Sequence, residues 1–353
     1  MIEDSRKTEA RADTRDGDDE ARVLMAHGGG GELTRALLAE HVLPRLGNEL
    51  LSPLLDSAVL PRPDGRLCFT TDSFVVAPLV FPGGDIGRLA VCGTVNDLAV
   101  MGARPLALSL GLVIEEGLPM ALLDRVLDSV AAAAAEAGVP VATGDTKVIE
   151  RRGEDGLIVN TAGVGVLPEG FAVDASRIEP GDALLVSGHL AEHGLAVLSV
   201  REGLAFETEI ASDAAPLNGL VQAMLATGGD VKFLRDPTRG GLAGVLADLA
   251  EDSGLSLEVD EAALPLTRAV LGAAELLGLD PLTVANEGKV VAAVAAADAE
   301  RVLAACRAHP LGRDAALVGR FTKAAPPLVE LLTRGGGRRL VSRPYGEQLP
   351  RIC

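Results

Sequence analysis

A chain of 353 residues with no Trp, one Tyr and seven Phe must close its cores with Leu, Val and Ala. Forty-one Gly and 20 Pro add many tight connections. An aliphatic, glycine-punctuated composition of this kind suits α/β layers better than a β-sandwich. The length exceeds what one core comfortably serves, so two α/β domains are expected.

A net charge of −18 argues against nucleic acid or an anionic membrane as the main partner. Cys68, Cys92, Cys306 and Cys353 are widely scattered, with no CxxC pair and no disulfide framework. The first residues do not resemble a signal peptide. The apolar runs fall short of the roughly 18–20 residues that span a bilayer. A cytoplasmic protein is the expectation.

Residues 1–25 are polar and mixed in charge and read as a disordered extension, with order starting near His27. An N-terminal domain is placed at 26–170, a C-terminal α/β domain at 171–332 and a mobile tail at 333–353. A strand is predicted at 66–71, helices at 87–101 and 119–137, and strands at 139–142 and 157–166. In the second helix Leu122, Leu123, Val126, Leu127 and Val130 repeat at helical spacing, and Gly138 is a natural stop. The second half repeats this mixture: strands at 183–187, 255–259 and 290–296, with helices at 189–202, 216–226 and 267–277 and another following Gly241.

Asp72 (TTDS), Asp97 (GTVND), Asp145 (TGDTK) and Asp236 (RDPTRGG) are expected where loops leave strands or open helices. Ligands bind at the carboxyl ends of strands in α/β proteins, and gathered carboxylates call for a divalent cation. Mg²⁺ with a nucleotide suits such a set better than Zn²⁺. Each aspartate could equally be a turn former or helix cap. Gly28–Gly31 could present amides to phosphate or serve as a hinge, and it is neither a Walker A loop nor a dinucleotide fingerprint. Arg239 beside Gly240 and Gly241 could add positive charge. Lys147 and Glu287 are either surface charges or, in a dry phosphate site, a phosphate clamp or proton acceptor (Lys147) and a base (Glu287). The histidines show no ligand spacing, and Cys68, Cys92 and Cys306 read as core.

Cys353 is the last residue, on a tail containing Gly335-Gly336-Gly337. From Arg334 onward the side chains carry five Arg against one Glu, on an acidic body that must draw the arm inward. A free thiol on a mobile arm is a liability unless it is used.

The motifs HGGGG (27–31), TTDS (70–73), PGGDIGRLAVCGTVNDLAVMGARP (82–105), EEGLP (115–119), TGDTKV (143–148), RDPTRGG (235–241), ANEGK (285–289), HPLG (309–312) and terminal PRIC (350–353) are specific together. By them the chain resembles the HypE family of hydrogenase maturation proteins, in the aminoimidazole-ribonucleotide synthetase-like ATP-binding superfamily. The likeness covers His27 to Cys353. Gly29 departs from it, since the family loop more often reads HGSGG.

The resemblance implies an ATP-dependent carbamoyl dehydratase. The carbamoyltransferase HypF would load Cys353 as a thiocarboxamide, which ATP would activate for conversion to a thiocyanate. Cyanide would pass to iron on a HypC–HypD scaffold for [NiFe] hydrogenases. By the same likeness Asp72, Asp97, Asp145 and Asp236 would hold Mg²⁺, and Gly28, Gly30, Gly31, Asn96, Thr146, Arg239 and Gly240 would contact ATP. Cys353, Lys147 and Glu287 would do the chemistry, in a homodimer joined through its N-terminal sheets. The alternatives are a non-catalytic carrier using Cys353, or another synthetase of the superfamily.

Overall fold

The computed structural model describes residues 21–151, 153, 156–204, 210–346 and 352. In chain order the N-terminal part holds α1 (Glu32–Leu37), a π-turn (Leu38–Val42), α2 (Leu43–Leu46), β1 (Arg66–Phe74), β2 (Val80–Phe81), β3 (Gly84–Asp85) and α3 (Ile86–Val100). It continues with β4 (Arg104–Glu115), α4 (Met120–Ala137), β5 (Val141–Ile149) and β6 (Leu157–Leu167).

Its sheet runs β1-β6-β4-β5, antiparallel except for the parallel β4/β5 pair. That parallel pair needs a crossover, which α4 supplies. α4 is amphipathic and ends where Gly138 takes the left-handed conformation (φ 67°), capping the last turn through Ala134 and Ala135. α3 is apolar on nearly every side and is buried accordingly. It starts at Asp85, whose carboxylate accepts from the amides of Gly87 (2.9 Å) and Arg88 (3.1 Å). α3 and α4 leave the other sheet face open, where Leu67 and Phe69 are 63% and 69% exposed.

The C-terminal part comprises β7 (Ala183–Val186), α5 (Glu192–Arg201), α6 (Asn218–Ala226), β8 (Val231–Arg235), α7 (Gly241–Ser253), β9 (Ser256–Asp260) and α8 (Arg268–Leu277). β10 (Val291–Val294), α9 (Ala299–Ala308), β11 (Ala316–Thr322), β12 (Val329–Leu332) and β13 (Arg338–Val341) complete it. Its sheet runs β13-β12-β9-β11-β7-β10-β8. Among the described residues no helix is long and apolar enough to cross a membrane.

The two parts share a core in which Ala99 and Val100 of α3 pack with Leu217, Leu220 and Val221. Polar ties reinforce it: Arg88 donates to the Ala214 carbonyl (2.7 Å), Arg201 to that of Ala77 (2.6 Å), and Ser212 N–H to that of Pro82 (2.7 Å).

Two stretches differ from the sequence expectation. Of the leader expected to be disordered, residues 21–25 are described and docked. Val23 is fully buried and exchanges main-chain hydrogen bonds with Gly117 and Leu118. One apolar residue in register with a waiting edge suffices to order it. The arginine-rich tail is also less free than expected up to residue 346. β13 pairs with β12, Arg338 bonds Glu258 and Glu330, Arg339 bonds Asp280, and Arg343 bonds Asp248 and Glu251. The acidic body draws the arm in through these pairs.

Candidate functional site

The aspartates expected in loops sit mostly inside regular elements. Asp72 lies within β1, Asp97 on α3 and Asp145 within β5, whose strand continues through the whole TGDTK motif. Only Asp236 follows a strand end, β8.

A cavity of about 200 Å³ at the junction of the two parts is lined by Asp72, Phe74, Gly93, Asp97, Asp236, Thr238, Arg239 and Glu287. Burial and the nearby Asp97 push Asp236 up to about 7. Burial also raises Asp97, although Thr70 donates to its carboxylate at 2.7 Å. Glu287 is raised well above its ordinary value, first by burial and then by Asp236, Asp213 and Asp72. Its Oε1 is buried with no hydrogen-bond partner. Four carboxyl groups thus crowd one small space.

That crowding is what a Mg²⁺–phosphate complex relieves, so the donor set fits hard-cation chemistry. Among the described residues no three His, Cys, Asp or Glu side chains converge closely enough to hold a metal alone. Mg²⁺ taking one or two carboxylates with phosphate oxygens matches this.

Asp145 is elsewhere. It lines a second cavity, of about 270 Å³, with Gly28, Gly30, Thr146, Lys147 and a wall of Leu38, Val42, Leu46, Leu110 and Leu112. β1 and β5 are opposite edges of the four-stranded sheet, so Asp72 and Asp145 stand three strand spacings apart, roughly 14 Å. One chain therefore does not bring the expected aspartates together. Lys147 Nζ bonds Asp145 Oδ1 at 2.8 Å, and the pair is about two-thirds exposed. This bond holds the Asp145 carboxyl below its ordinary value.

The glycine loop packs on β5. A Cβ at Gly28 would meet the Val148 amide nitrogen at 2.5 Å, so only glycine fits, and Gly30 has φ 77°. Gly31 has open space and caps α1. Gly240 (φ 79°) precedes α7.

Asn96 lies on α3. Its amide donates to the carbonyls of Ala215 (3.1 Å) and Glu287 (3.0 Å), and its carbonyl accepts from Leu217 N–H (2.8 Å). Both donors of its amide meet the domain junction.

Nothing in the sequence singled out Asp213, and His193 reads from it as structural. Burial raises Asp213, but the Lys289 ammonium and His193 outweigh it and hold the carboxyl below its usual range. Asp213 accepts from Lys289 Nζ (3.0 Å) and from the amides of Glu287 (3.1 Å) and Gly288 (3.2 Å). A Cβ at Gly288 would lie 1.8 Å from the Asp213 carbonyl oxygen, which explains the glycine in ANEGK. Nothing near Asp213 in sequence announces this contact.

Cys353 lies outside the described residues, but Ile352 is described and only 4% exposed. Its carbonyl accepts a hydrogen bond from His193 Nε2 at 2.9 Å. Cys92 and Cys306 are core, as expected, whereas Cys68 on β1 is only half-buried.

Two α/β parts, an acidic cavity between them and a glycine loop over the N-terminal sheet define an AIR synthase related protein. The N-terminal-domain model of that family matches residues 55–167 and the C-terminal-domain model residues 179–327. Within it, the chain belongs to the carbamoyl dehydratase HypE family. It is 51% identical over 333 residues to carbamoyl dehydratase HypE of Cupriavidus necator, covering 94% of this chain and 95% of the relative. A crystal structure of hydrogenase maturation protein HypE in complex with ATP is 44% identical with a TM-score of 0.89, covering 94% and 99% of the two chains. HypE in a HypE–HypF complex is also 44% identical, with a TM-score of 0.76 over 89% of this chain and all of that one.

Proposed function

We propose that this chain is an ATP-dependent carbamoyl dehydratase of hydrogenase maturation, acting in the cytoplasm on a group carried by its own Cys353. The observation that carries the reading is the burial of Ile352. The Ile352 carbonyl is held on His193, one residue before the thiol. His193 also reaches Ser212, the neighbour of Asp213, and Asp213 accepts the main-chain amide of Glu287. A substrate built on the last residue would enter beside the acidic cavity.

HypF, the partner in the complex of a 44% identical relative, would supply the carbamoyl group as a thiocarboxamide. The amide oxygen attacks the γ-phosphorus of ATP and ADP leaves. Two N–H protons are then lost and the C–O bond breaks, so the original amide oxygen departs with phosphate and a thiocyanate remains on sulfur. Activation matters because hydroxide is a poor leaving group and phosphate a good one. Glu287, buried and raised, suits a proton acceptor at the amide nitrogen. Lys147 suits a phosphate clamp. One or two of Asp72, Asp97 and Asp236, together with phosphate oxygens, would hold Mg²⁺, which neutralises developing phosphate charge when bound. Cyanide from the thiocyanate would pass to iron on the HypC–HypD scaffold.

A homodimer fits the split site. The open sheet face with Leu67 and Phe69 would be covered by a second copy. Laying the β1 edge of one sheet beside the β5 edge of the other would unite the acidic cavity with Gly28, Gly30, Asp145, Thr146 and Lys147.

Mixing the protein with HypF, carbamoyl donor and ATP tests the reading. The expected product is a thiocyanate on the C-terminal peptide, one per ATP consumed. A stable carbamoyl group in the presence of ATP would reduce the protein to a carrier.

A further inference from the structure

The buried imidazole of His193 is bonded at both nitrogens. Nε2 faces the Ile352 carbonyl at 2.9 Å, which can only accept, so Nε2 carries the proton. Nδ1 lies 2.8 Å from Ser212 Oγ, and Ser212 Oγ in turn accepts from the Ala214 amide at 3.2 Å. Main-chain amide, hydroxyl, imidazole and carbonyl thus form one connected hydrogen-bond chain that holds the ring at both nitrogens.

The ring is fixed in place as well. Phe81 meets it edge-on, 5.4 Å between centroids and 89° between planes. Phe81 lies on β2 and His193 on α5, and the adjoining Ser212 amide bonds the Pro82 carbonyl. Both halves of the molecule thus build this seat. Burial lowers His193, against the opposing pull of Asp213 and the Ile352 carbonyl.

We propose that His193 is a positioning residue: a buried hydrogen-bond donor that latches the main chain at Ile352 and so sets where Cys353 and its cargo lie relative to Glu287. The latch reads a main-chain carbonyl, so it acts whatever group the sulfur carries. Ile352 adds its buried side chain to the contact. Its consequence for turnover rests on the dehydratase reading; the latch itself does not.

The test uses the full-length protein with Cys68→Ser, leaving Cys92 and Cys306 buried, and a nonhydrolysable ATP analogue present. Maleimide labelling of Cys353 is followed by mass spectrometry of the C-terminal peptide. His193→Phe keeps a ring against Phe81 but donates nothing, and labelling should accelerate about fivefold. His193→Gln keeps an amide donor and should stay within about twofold of the parent. Ile352→Ala, a change confined to the tail, should accelerate labelling even if His193→Phe fails to fold. Equal rates in the parent, His193→Phe and Ile352→Ala overturn the latch. So does a His193→Gln as fast as His193→Phe, because the hydrogen bond would then not be the holding contact. In single turnover, carbamoylation of His193→Phe should proceed normally while dehydration falls severalfold; an unchanged dehydration rate overturns the positioning role. A parent protein that never dehydrates overturns the dehydratase reading and leaves the labelling comparison to decide the latch.

Discussion

The side-chain amide of Asn96, on α3 of the N-terminal part, donates to the main-chain carbonyl of Glu287 in the C-terminal part at 3.0 Å. With its bonds to Ala215 and Leu217 it ties the helix beneath the N-terminal sheet to the loop that presents the buried carboxyl. The geometry of the acidic cavity therefore depends on an amide that never enters it.

Replacing Asn96 with Ala strands a buried Leu217 N–H and two carbonyls. The expected loss is about 3 kcal/mol of stability, read from urea unfolding. A change below about 0.5 kcal/mol would show that water replaces the clamp at no cost.

Glu287→Gln keeps the shape of the side chain and removes its capacity to take up a proton. The variant should bind ATP at least as tightly as the parent and still accept a carbamoyl group on Cys353. Conversion to thiocyanate should fall by two orders of magnitude or more, about the contribution of a general base. Mass spectrometry of the C-terminal peptide after a chase with ATP gives the answer, and rapid conversion would remove Glu287 from the chemistry.

Asp236 is raised to about 7, so between the ordinary aspartate value and about 7 the folded state binds more protons than the unfolded chain. Stability of the nucleotide-free protein should fall as pH rises through that window. Asp236→Asn should remove the penalty, a gain on the order of 2 kcal/mol at pH about 8 that vanishes near pH about 4. The figure is discounted for the solvent the cavity admits. Denaturant titrations of both proteins at the two pH values, without divalent cations, check the sign. A gain that is constant with pH contradicts it.

Gly28→Ala drives a methyl group against the Val148 amide, whereas Gly31→Ala meets nothing. ATP affinity should drop about tenfold or more in the first and change less than about twofold in the second. Isothermal titration of ATP separates them. Equal affinities would detach the glycine loop from the nucleotide.

Much of this protein is written locally. The alternation in β1, the helical spacing and Gly138 stop of α4, and the boundary region after Leu167 follow from periodicity and backbone preference, which act over a few residues. The motifs also marked Asp72, Asp97, Asp236 and Glu287, which do share a cavity.

Other properties were decided only by the tertiary fold. Strand order sets Asp145 at the far edge of the sheet from Asp72, because β4 and β6 pair between them. Asn96 stands beside Asp97 in sequence, and it is the packing of α3 against the second domain that gives its amide three partners there. Asp213 and His193 carry no motif, since their partners, Glu287, Lys289 and Ile352, are distant in sequence and meet them only when the two domains close. The sequence by itself determined the elements, the aliphatic cores and the inventory of carboxylates, lysine and thiol. Which of those groups are desolvated, which are neutralised and where the C-terminus rests depend on long-range burial, and burial is a property of the assembled chain.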